Sequence, residues 1–464
     1  MKTNITSGAD TICALSTPPG IGALGVIRIS GEHTFDILGM IFSKKNITSY
    51  PTHTLHVGQI FDNDILIDEV VVSIFKKPHS FTKEDVAEIS CHGSVYVINK
   101  IIKLLLKQGA RYAAAGEFTQ RAFINGRFDL AQAEAVADLI ASDSEASHMA
   151  AMYQMRGGFS NEIKQLREKL LNFASLIELE LDFAEEDVEF ANRAELKQLV
   201  HDIIHIIEPL ISSFDMGNAM KNGVPVVIAG KPNAGKSTLL NTLLHEDKAI
   251  VSDIPGTTRD VIEDEIAIEG IKFRFIDTAG LRHTNDNLEA MGIARTRQKM
   301  KEASLILYIF DSVHTTITQL MQAIDELKSL ANPYLLIGNK EDELGENERN
   351  YLDEYLKNNN TLYTFVSAKN KTGIENLKKL LLEIIRNDTF KTGNTIVTNL
   401  RHYESLVKTK EALNGVINGL ENGMTGDFLA LDIRMSLIHL GNITGEVTND
   451  EILGNIFSKF CIGK

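Results

Sequence analysis

Tryptophan is absent from this chain of 464 residues, and aromatic residues together make up 7%. The composition therefore supplies no stacking platform for single-stranded nucleic acid. Cysteine is scarce as well. Cys13, Cys91 and Cys461 are odd in number and far apart, a spacing that suits neither a disulfide framework nor a zinc site. No run of 18 apolar residues occurs, which argues against a membrane-spanning helix. The opening MKTNITSGAD has no apolar signal core. A reducing cytoplasm and no membrane partner are the expectation. Basic charge is in deficit: 47 Lys and Arg stand against 62 Asp and Glu, for a net charge of −15. Most of the acidic excess lies in residues 121–220. No basic segment announces RNA or DNA, so any nucleic-acid contact must use a local patch made by the fold.

What is present is a phosphate-binding pattern. Gly230 to Ser237 reads GKPNAGKS, after the apolar run Val224 to Ala229 and before the helix-like run Thr238 to Leu244. Strand, glycine loop and helix are the context in which G-x-x-x-x-G-K-[ST] works. Successive backbone N–H groups form a concave anion site, and the helix adds its positive end. Asn233, Ala234, Gly235, Lys236, Ser237 and Thr238 are the candidate contacts, with Lys236 on the outer phosphates and the Ser237 hydroxyl on Mg²⁺.

Further motifs specify the base and the switch. Asp277-Thr278-Ala279-Gly280 follows the strand-like Phe273 to Ile276; an Asp there can hold Mg²⁺ through water, and the Gly amide can sense a γ-phosphate. Asn339-Lys340-Glu341-Asp342 follows the apolar Tyr334 to Gly338. A buried Asp342 carboxylate can accept two hydrogen bonds from guanine, a donor pair that adenine lacks. Ser367-Ala368-Lys369 follows Leu362 to Val366 and suits the guanine oxygen. Between these motifs lies Gly256-Thr257-Thr258-Arg259-Asp260, where Thr258 is the candidate second Mg²⁺ ligand in a loop ordered by the γ-phosphate. Together the motifs predict a GTP-binding, GTP-hydrolysing protein.

The residue after Gly280 is Leu281, which can neither accept a proton nor aim a water. Many small GTPases place a glutamine there. Hydrolysis thus needs another group. A monovalent cation held by Asn233 and by backbone oxygens of Ser252 to Thr257 is physically suited to that electrostatic task.

The organisation reads as a multidomain α/β and α chain. Residues 1–120 alternate strand-like runs (Thr11–Ser16, Gly25–Ser30, Leu55–Phe61, Glu69–Phe75, Val86–Cys91) with turns and a helix-like Val95–Gln108, an α+β pattern. Residues 121–220 and 387–464 share an amphipathic helical texture, as in Leu166, Leu170, Phe173, Ile177 and Leu181. The simplest account is one discontinuous helical domain into which a P-loop (Ras-like) G domain, 221–386, is inserted. Cys91-His92 resembles a nucleophile–base pair but reads as the end of a strand.

Four blocks then resemble the MnmE (TrmE) family of tRNA-modification GTPases. They are Asp10-Thr11-Ile12 through Gly20-Ile21-Gly22 to Arg28-Ile29-Ser30-Gly31; Ser80-Phe81-Thr82 with Glu84-Asp85, Glu88 and His92-Gly93; Gly116-Glu117-Phe118-Thr119 through Asn125-Gly126-Arg127 to Asp129–Ala135; and the terminal Phe457–Lys464. The resemblance implies an N-terminal folate-binding domain that also forms a homodimer. It further implies a heterotetramer with the FAD-containing partner MnmG, and tRNA as substrate. The chemistry it implies is addition of an aminomethyl-type (carboxymethylaminomethyl) group at carbon 5 of the wobble uridine. A 5-formyl- or 5,10-methylene-tetrahydrofolate would supply the carbon.

Matched residue by residue, the resemblance puts folate contacts at Arg28, Glu88, Arg127 and Lys464. It puts K⁺ at Asn233, Ser252, Ile254 and Thr257, and the water-positioning glutamate at Glu289. Ser252 and Thr257 thereby also join the GTP site, and Cys461 becomes a functional thiol. Two positions depart from the family pattern: Arg127 stands where lysine is common, and Ala113-Ala114-Ala115 lacks an Arg-Pro. A pure switch GTPase of the Era or Der type is the alternative. Era-type proteins carry a KH-like RNA module after the G domain, and the residues after 386 show no such basic module.

Overall fold

A computed structural model describes residues 10–44, 46–182, 192–246, 264–276, 298–301, 303–330, 332–387, 396–448 and 450–463. Of the sequence-derived candidates, Ser252, Ile254, Thr257, Thr258, Asp277, Thr278, Ala279, Gly280, Glu289 and Lys464 lie outside them. The chain divides into two compact units: Met1–Ala141 with Ala151–Ile207 and Glu404–Lys464, and Ser142–Ala150 with Glu208–Tyr403.

The first unit holds a six-stranded sheet. Its strands are β1 (Ile12–Leu15), β2 (Leu24–Ser30), β3 (Thr54–Asp62), β4 (Ile65–Phe75), β5 (Val86–His92) and β6 (Arg111–Tyr112), in the order β3-β4-β5-β2-β1-β6. Alternation decides what each face carries. Ile27 and Ile29 of β2 and Ala87, Ile89 and Cys91 of β5 point into the core, where helix Val95–Lys107 covers them with Ile98, Ile101, Ile102 and Leu105. Those helical positions recur at one-turn spacing and form a single apolar stripe. Arg28 and Glu88 are register partners on the opposite face of the same two strands. A smaller cluster of Ile12, Ala14, Ala113 and Phe118, with Phe81 against it, covers that side. Helix Thr34–Ile41 joins the first face through Phe35, Ile37, Leu38 and Ile41, and helix Glu117–Ile124 joins the second through Phe118.

The helical part of this unit draws on both sides of the nucleotide segment. Helix Gly158–Asp182 packs along helix Gly426–Thr444. Arg434 Nε reaches Glu178 Oε1 at 2.7 Å, and Arg167 pairs with Glu446. Gly426 faces Leu181 and Ile177, so the helices approach closely where no side chain intervenes. Leu130 and Ala133 join Leu453 and Phe457 in one apolar cluster, so the end of the chain is anchored on the start of the helical region.

The second unit is built on a six-stranded sheet of order β12-β11-β10-β7-β9-β8. Its members are β7 (Val224–Ala229), β8 (Asp264–Ile268), β9 (Ile271–Phe275), β10 (Leu305–Asp311), β11 (Tyr334–Asn339) and β12 (Tyr363–Val366). All neighbours pair in parallel except β8, an antiparallel edge strand that no sequence motif announces. The parallel strands are buried almost throughout, as expected when helices cover both faces. Strand order reverses beside β7. In such sheets ligands bind beyond the carboxyl ends of the strands at that reversal.

Candidate functional site

The carboxyl edge of the second sheet gathers the three motifs that fall within the described residues, at Gly230–Ser237, Asn339–Asp342 and Ser367–Lys369. The loop from Gly230 leaves β7 and enters helix Lys236–Glu246. Two glycines are required by geometry. Gly230 has φ +144°, and a Cβ there would stand 2.1 Å from the Ile309 carbonyl oxygen; Gly235 has φ +98°, and its Cβ would stand 2.1 Å from Asn339 Nδ2. Between them Asn233 adopts left-handed backbone, φ +61°, and is exposed. Lys236 Nζ donates to the carbonyls of Gly230 and Lys231, both at 2.8 Å, which holds the ammonium over its own loop. Burial lowers the Lys236 pKa from its ordinary value. Among the described residues it has no carboxylate partner, so an incoming anion would relieve that cost.

Asn339 ties this loop to the next one. It ends β11, is 4% exposed, donates from Nδ2 to Ala234 O at 2.8 Å and accepts at Oδ1 from Ala368 N–H at 3.0 Å. Its amide is a strut between the phosphate loop and the Ser367-Ala368-Lys369 loop, a role that motif spacing alone does not reveal. Thr242 of the helix donates to Ala368 O at 2.9 Å and braces the same loop from behind. Ser367 is fully buried, and its Oγ accepts from Asn370 N–H.

Lys340 sits at φ +66°, and its Nζ reaches Asp311 Oδ2 at 2.5 Å. The left-handed turn carries the chain out of the sheet into the short turn Glu341–Glu343. This corrects one expectation: Asp342 is exposed, not buried, because it lies beyond the last sheet residue. Asp311 belongs to no sequence motif, although Phe310-Asp311-Ser312 closes an apolar strand as the motifs do. Burial pushes its carboxyl up, but hydrogen bonds from Lys340 and from the His314 and Val313 amides bring it below the ordinary value. A cavity of about 340 Å³, lined by Lys231, Asn233, Tyr308, Asp311, His314 and Lys340, adjoins the loop.

The first unit has a second candidate site. Arg28 Nε and an Nη approach Glu88 Oε1 at 2.9 and 2.8 Å, so Oε2 keeps its acceptor capacity. The Arg28 guanidinium lies over Phe81 and Phe118, and that of Arg127 over Phe81 and Phe128, at 5.2–5.6 Å from the ring centroids. Arg127 also donates to Ser80 O. Burial, aided by the charge of Arg28, lowers the Arg127 pKa. Glu88, Arg127 and Phe81 line a cavity of about 500 Å³. A carboxylate at the wall, aromatic faces and cations suit a flat ligand with paired N–H donors and an anionic end.

The chain end is fastened to the N-terminal part of this unit. Ile462 bridges to Ala115, and Ser16 Oγ donates to Gly463 O at 3.2 Å. Gly463 has φ +95°, and a Cβ there would meet Leu15 O at 2.1 Å. Cys461 is exposed, with its carbonyl accepting from Gly116 N–H at 3.4 Å. Cys91 is buried, and burial pushes its thiol up to about 11. His92 is bonded instead to Asp68, 2.7 Å from Nδ1 to Oδ1. That pair ends a strand and forms no nucleophile–base couple.

A glycine loop between a central parallel strand and its helix, with the Asn339–Asp342 and Ser367–Lys369 loops at the same sheet edge, defines a P-loop nucleotide-binding protein. Comparison with known families adds the rest of the chain. The model for the GTP-binding protein TrmE N-terminus matches residues 11–127, and that for the MnmE helical domain matches residues 130–461. A protein of Cytophaga hutchinsonii named tRNA modification GTPase MnmE is 59% identical over 100% of this chain and 99% of its own length. One of Flavobacterium johnsoniae with the same name is 54% identical over 98% and 99%. Among solved structures, Era in complex with MgGDPNP and a 16S ribosomal RNA segment has a TM-score of 0.29 and 27% identity, covering 41% of this chain and 66% of that one. The chain belongs to the MnmE (TrmE) family and is a GTPase, and membership implies use of GTP and Mg²⁺. Among the described residues no helix is long and apolar enough to cross a membrane.

Proposed function

We propose that this GTPase acts in tRNA modification as a K⁺-stimulated component that adds an aminomethyl-type group at carbon 5 of the wobble uridine with a folate one-carbon donor. Asn233 to Thr238 bind the phosphates, with Lys236 on the outer ones. Ser237 and Thr258 hold Mg²⁺, and Asp277 to Gly280 respond to the γ-phosphate. Asp342, Ser367, Ala368 and Lys369 read guanine, while Asn339 and Lys340 fix the loops around it. Exposure of Asp342 is compatible with that role, since the base itself supplies the cover. Asn233, Ser252, Ile254 and Thr257 hold K⁺, and Glu289 orients the attacking water in place of the glutamine that Leu281 cannot supply.

The observation that supports the folate reading best is Glu88, held by Arg28 at the wall of the N-terminal cavity. A reduced pterin offers the paired N–H donors that such a carboxylate accepts. Arg127 and Lys464 balance the anionic portions of the donor; Gly463 is pinned by Ser16 one residue before Lys464. Bound folate supplies the one-carbon unit, and this chain's residues bind and orient it. Cys461, exposed beside that tail, is the candidate thiol. The working form is a cytoplasmic homodimer in a heterotetramer with an MnmG-type FAD protein. Nucleoside analysis of tRNA from cells lacking the gene tests the proposal. Loss of the modified wobble uridine, restored by the wild-type gene and not by Glu88→Ala, is expected. A normal nucleoside profile would leave a switch GTPase without modification chemistry.

A further inference from the structure

The N-terminal cavity carries more anion-directed side chains than a flat heteroaromatic head requires. Of its ten lining residues, His53, His79, Lys83 and Arg127 can donate to an anion, while Glu88 alone is acidic and is already paired with Arg28. In a chain of net charge −15 this is a local reversal of sign.

These groups are spread away from Glu88. Ser73 and Phe75 of β4 pair with Glu88 and Val86 of β5, and the His53 amide donates to Ile74 O. Two strand spacings, roughly 10 Å, therefore separate the strand of Glu88 from the strand that His53 leads into. Both His53 and Lys83 have φ +61°, backbone that non-glycine residues rarely adopt. Strain of this kind clusters at ligand sites. The His53 ring is held edge-on to Phe75, with centroids 5.5 Å apart at 89°, and its Nδ1 lies 3.0 Å from Thr52 Oγ1. Its Nε2 keeps its bonding capacity. Lys83 Nζ donates to the uncharged Gly126 carbonyl at 2.8 Å, and Arg127 to that of Ser80, so neither cation is neutralised by those bonds.

We infer that this end of the cavity is a subsite for a string of carboxylates, so that the ligand is a folate bearing several γ-linked glutamates and not the monoglutamate. The inference rests on the folate reading above and deepens it. The head is read by Glu88 and the tail by His53, His79 and Lys83, with Arg127 between them.

The test is calorimetry on the full-length chain with 5-formyl-tetrahydrofolate carrying one or five glutamates, at low and high KCl. The pentaglutamate should bind about five- to tenfold tighter, from two or three partly exposed charge contacts, and the advantage should shrink in high salt. Lys83→Asn and His53→Asn keep a residue that tolerates left-handed backbone; each should reduce the tail advantage while leaving monoglutamate binding within about twofold. Equal affinity for the two ligands overturns the subsite. So does a tail advantage that survives both substitutions, or displacement of the bound tail by a short RNA as effective as by free oligoglutamate, which would give these groups to phosphates. Failure of both folates to bind removes the folate reading itself, a result distinct from binding without tail preference.

Discussion

Replacing Asn339 with alanine should uncouple the phosphate loop from the base-side loop. The side chain is 4% exposed and makes two bonds, from Nδ2 to Ala234 O at 2.8 Å and from Ala368 N–H to Oδ1 at 3.0 Å. The orientation of the amide is fixed by its partners, since a carbonyl needs a donor and an N–H needs an acceptor. Each net bond contributes on the order of 1 kcal/mol, and each buried group left without a partner costs about 1–3 kcal/mol. Water can reach part of the gap, so a local loss of about 3 kcal/mol is reasonable. That corresponds to roughly a hundredfold faster hydrogen exchange at the Ala368 amide. GTP affinity should fall with it, because Gly235 packs against the same amide. Asn339→Asp separates the two bonds. It keeps an acceptor for Ala368 N–H but sets a carboxylate oxygen against the Ala234 carbonyl, so GTP affinity should fall while Ala368 stays partly protected. If Asn339→Ala left both Ala368 protection and the GTP Kd within twofold of wild type, the strut would have no energetic content.

Three further outcomes are expected. GTP turnover should be faster in K⁺ than in Na⁺, because Na⁺ is too small for a cage of carbonyl oxygens; equal initial rates in the two salts would remove the cation from the mechanism. Glu289→Ala should retain GTP binding and lose most turnover in a phosphate-release assay, and unchanged turnover would reassign the water-positioning group. Arg121→Met should destabilise the N-terminal unit by about 3–5 kcal/mol near neutral pH, since a buried guanidinium that faces Asp10, Glu84 and Glu117 disappears and the carboxylates remain.

The acid side of that third outcome has a definite sign. Burial pushes Asp10 and Glu117 up. The Arg111 hydrogen bond to each, with the Arg121 charge on Asp10 and the Ala114 amide on Glu117, brings both below their ordinary values. Carboxylates depressed by folding stabilise above the ordinary carboxylate pKa of about 4, and that contribution is lost as pH falls through the folded values. The difference between wild type and Arg121→Met should therefore narrow as acid denaturation is followed downward from pH 4. A constant difference across that range would mean that the arginine acts through packing alone.

Much of the architecture is legible in the sequence because period and punctuation agree there. The strand-like runs Gly25–Ser30, Leu55–Phe61, Glu69–Phe75 and Val86–Cys91 fall within β2, β3, β4 and β5, and Val224–Ala229 coincides with β7. The helix Thr34–Ile41 buries Thr34, Phe35, Ile37, Leu38 and Ile41 at helical spacing, but over eight residues its outward face offers only Asp36 beside Gly39 and Met40, too little polarity to mark the period in sequence. Strand β8 carries charged residues on an edge and looks like a loop in sequence. In the nucleotide site, residue types at motif spacing identified the loops but not their mutual supports. Asn339 reads as a base contact in sequence, and only the parallel register of β11 beside β12 puts its amide between two loops. Asp311 has no motif of its own and acquires its significance from the Lys340 ammonium beside it.

Several residues that carry the family resemblance do not line the cavity. Asp10, Ser30, Thr82, Glu84 and Glu117 fall in the first three blocks, and in the fold they meet in one network around Arg121. Ser30 Oγ donates to Glu84 Oε2 at 2.7 Å and lies 2.7 Å from Thr82 Oγ1, while Arg121 reaches Asp10, Glu84 and Glu117. Ser80 Oγ donates to Glu84 O, and Asn125 donates to Thr82 O, which fastens the segment carrying Phe81 to the helix Glu117–Ile124. Phe81 is the ring under both Arg28 and Arg127. A buried polar network has to be satisfied in full or it costs more than an apolar core. Its residue types are therefore tightly specified even though, Ser80 apart, none of them lines the cavity. The segment Ser80–Glu84 can in this way be as recognisable in sequence as the site it positions, and its recognisability says more about the fixed aim of Arg28 and Arg127 than about the reaction they would serve.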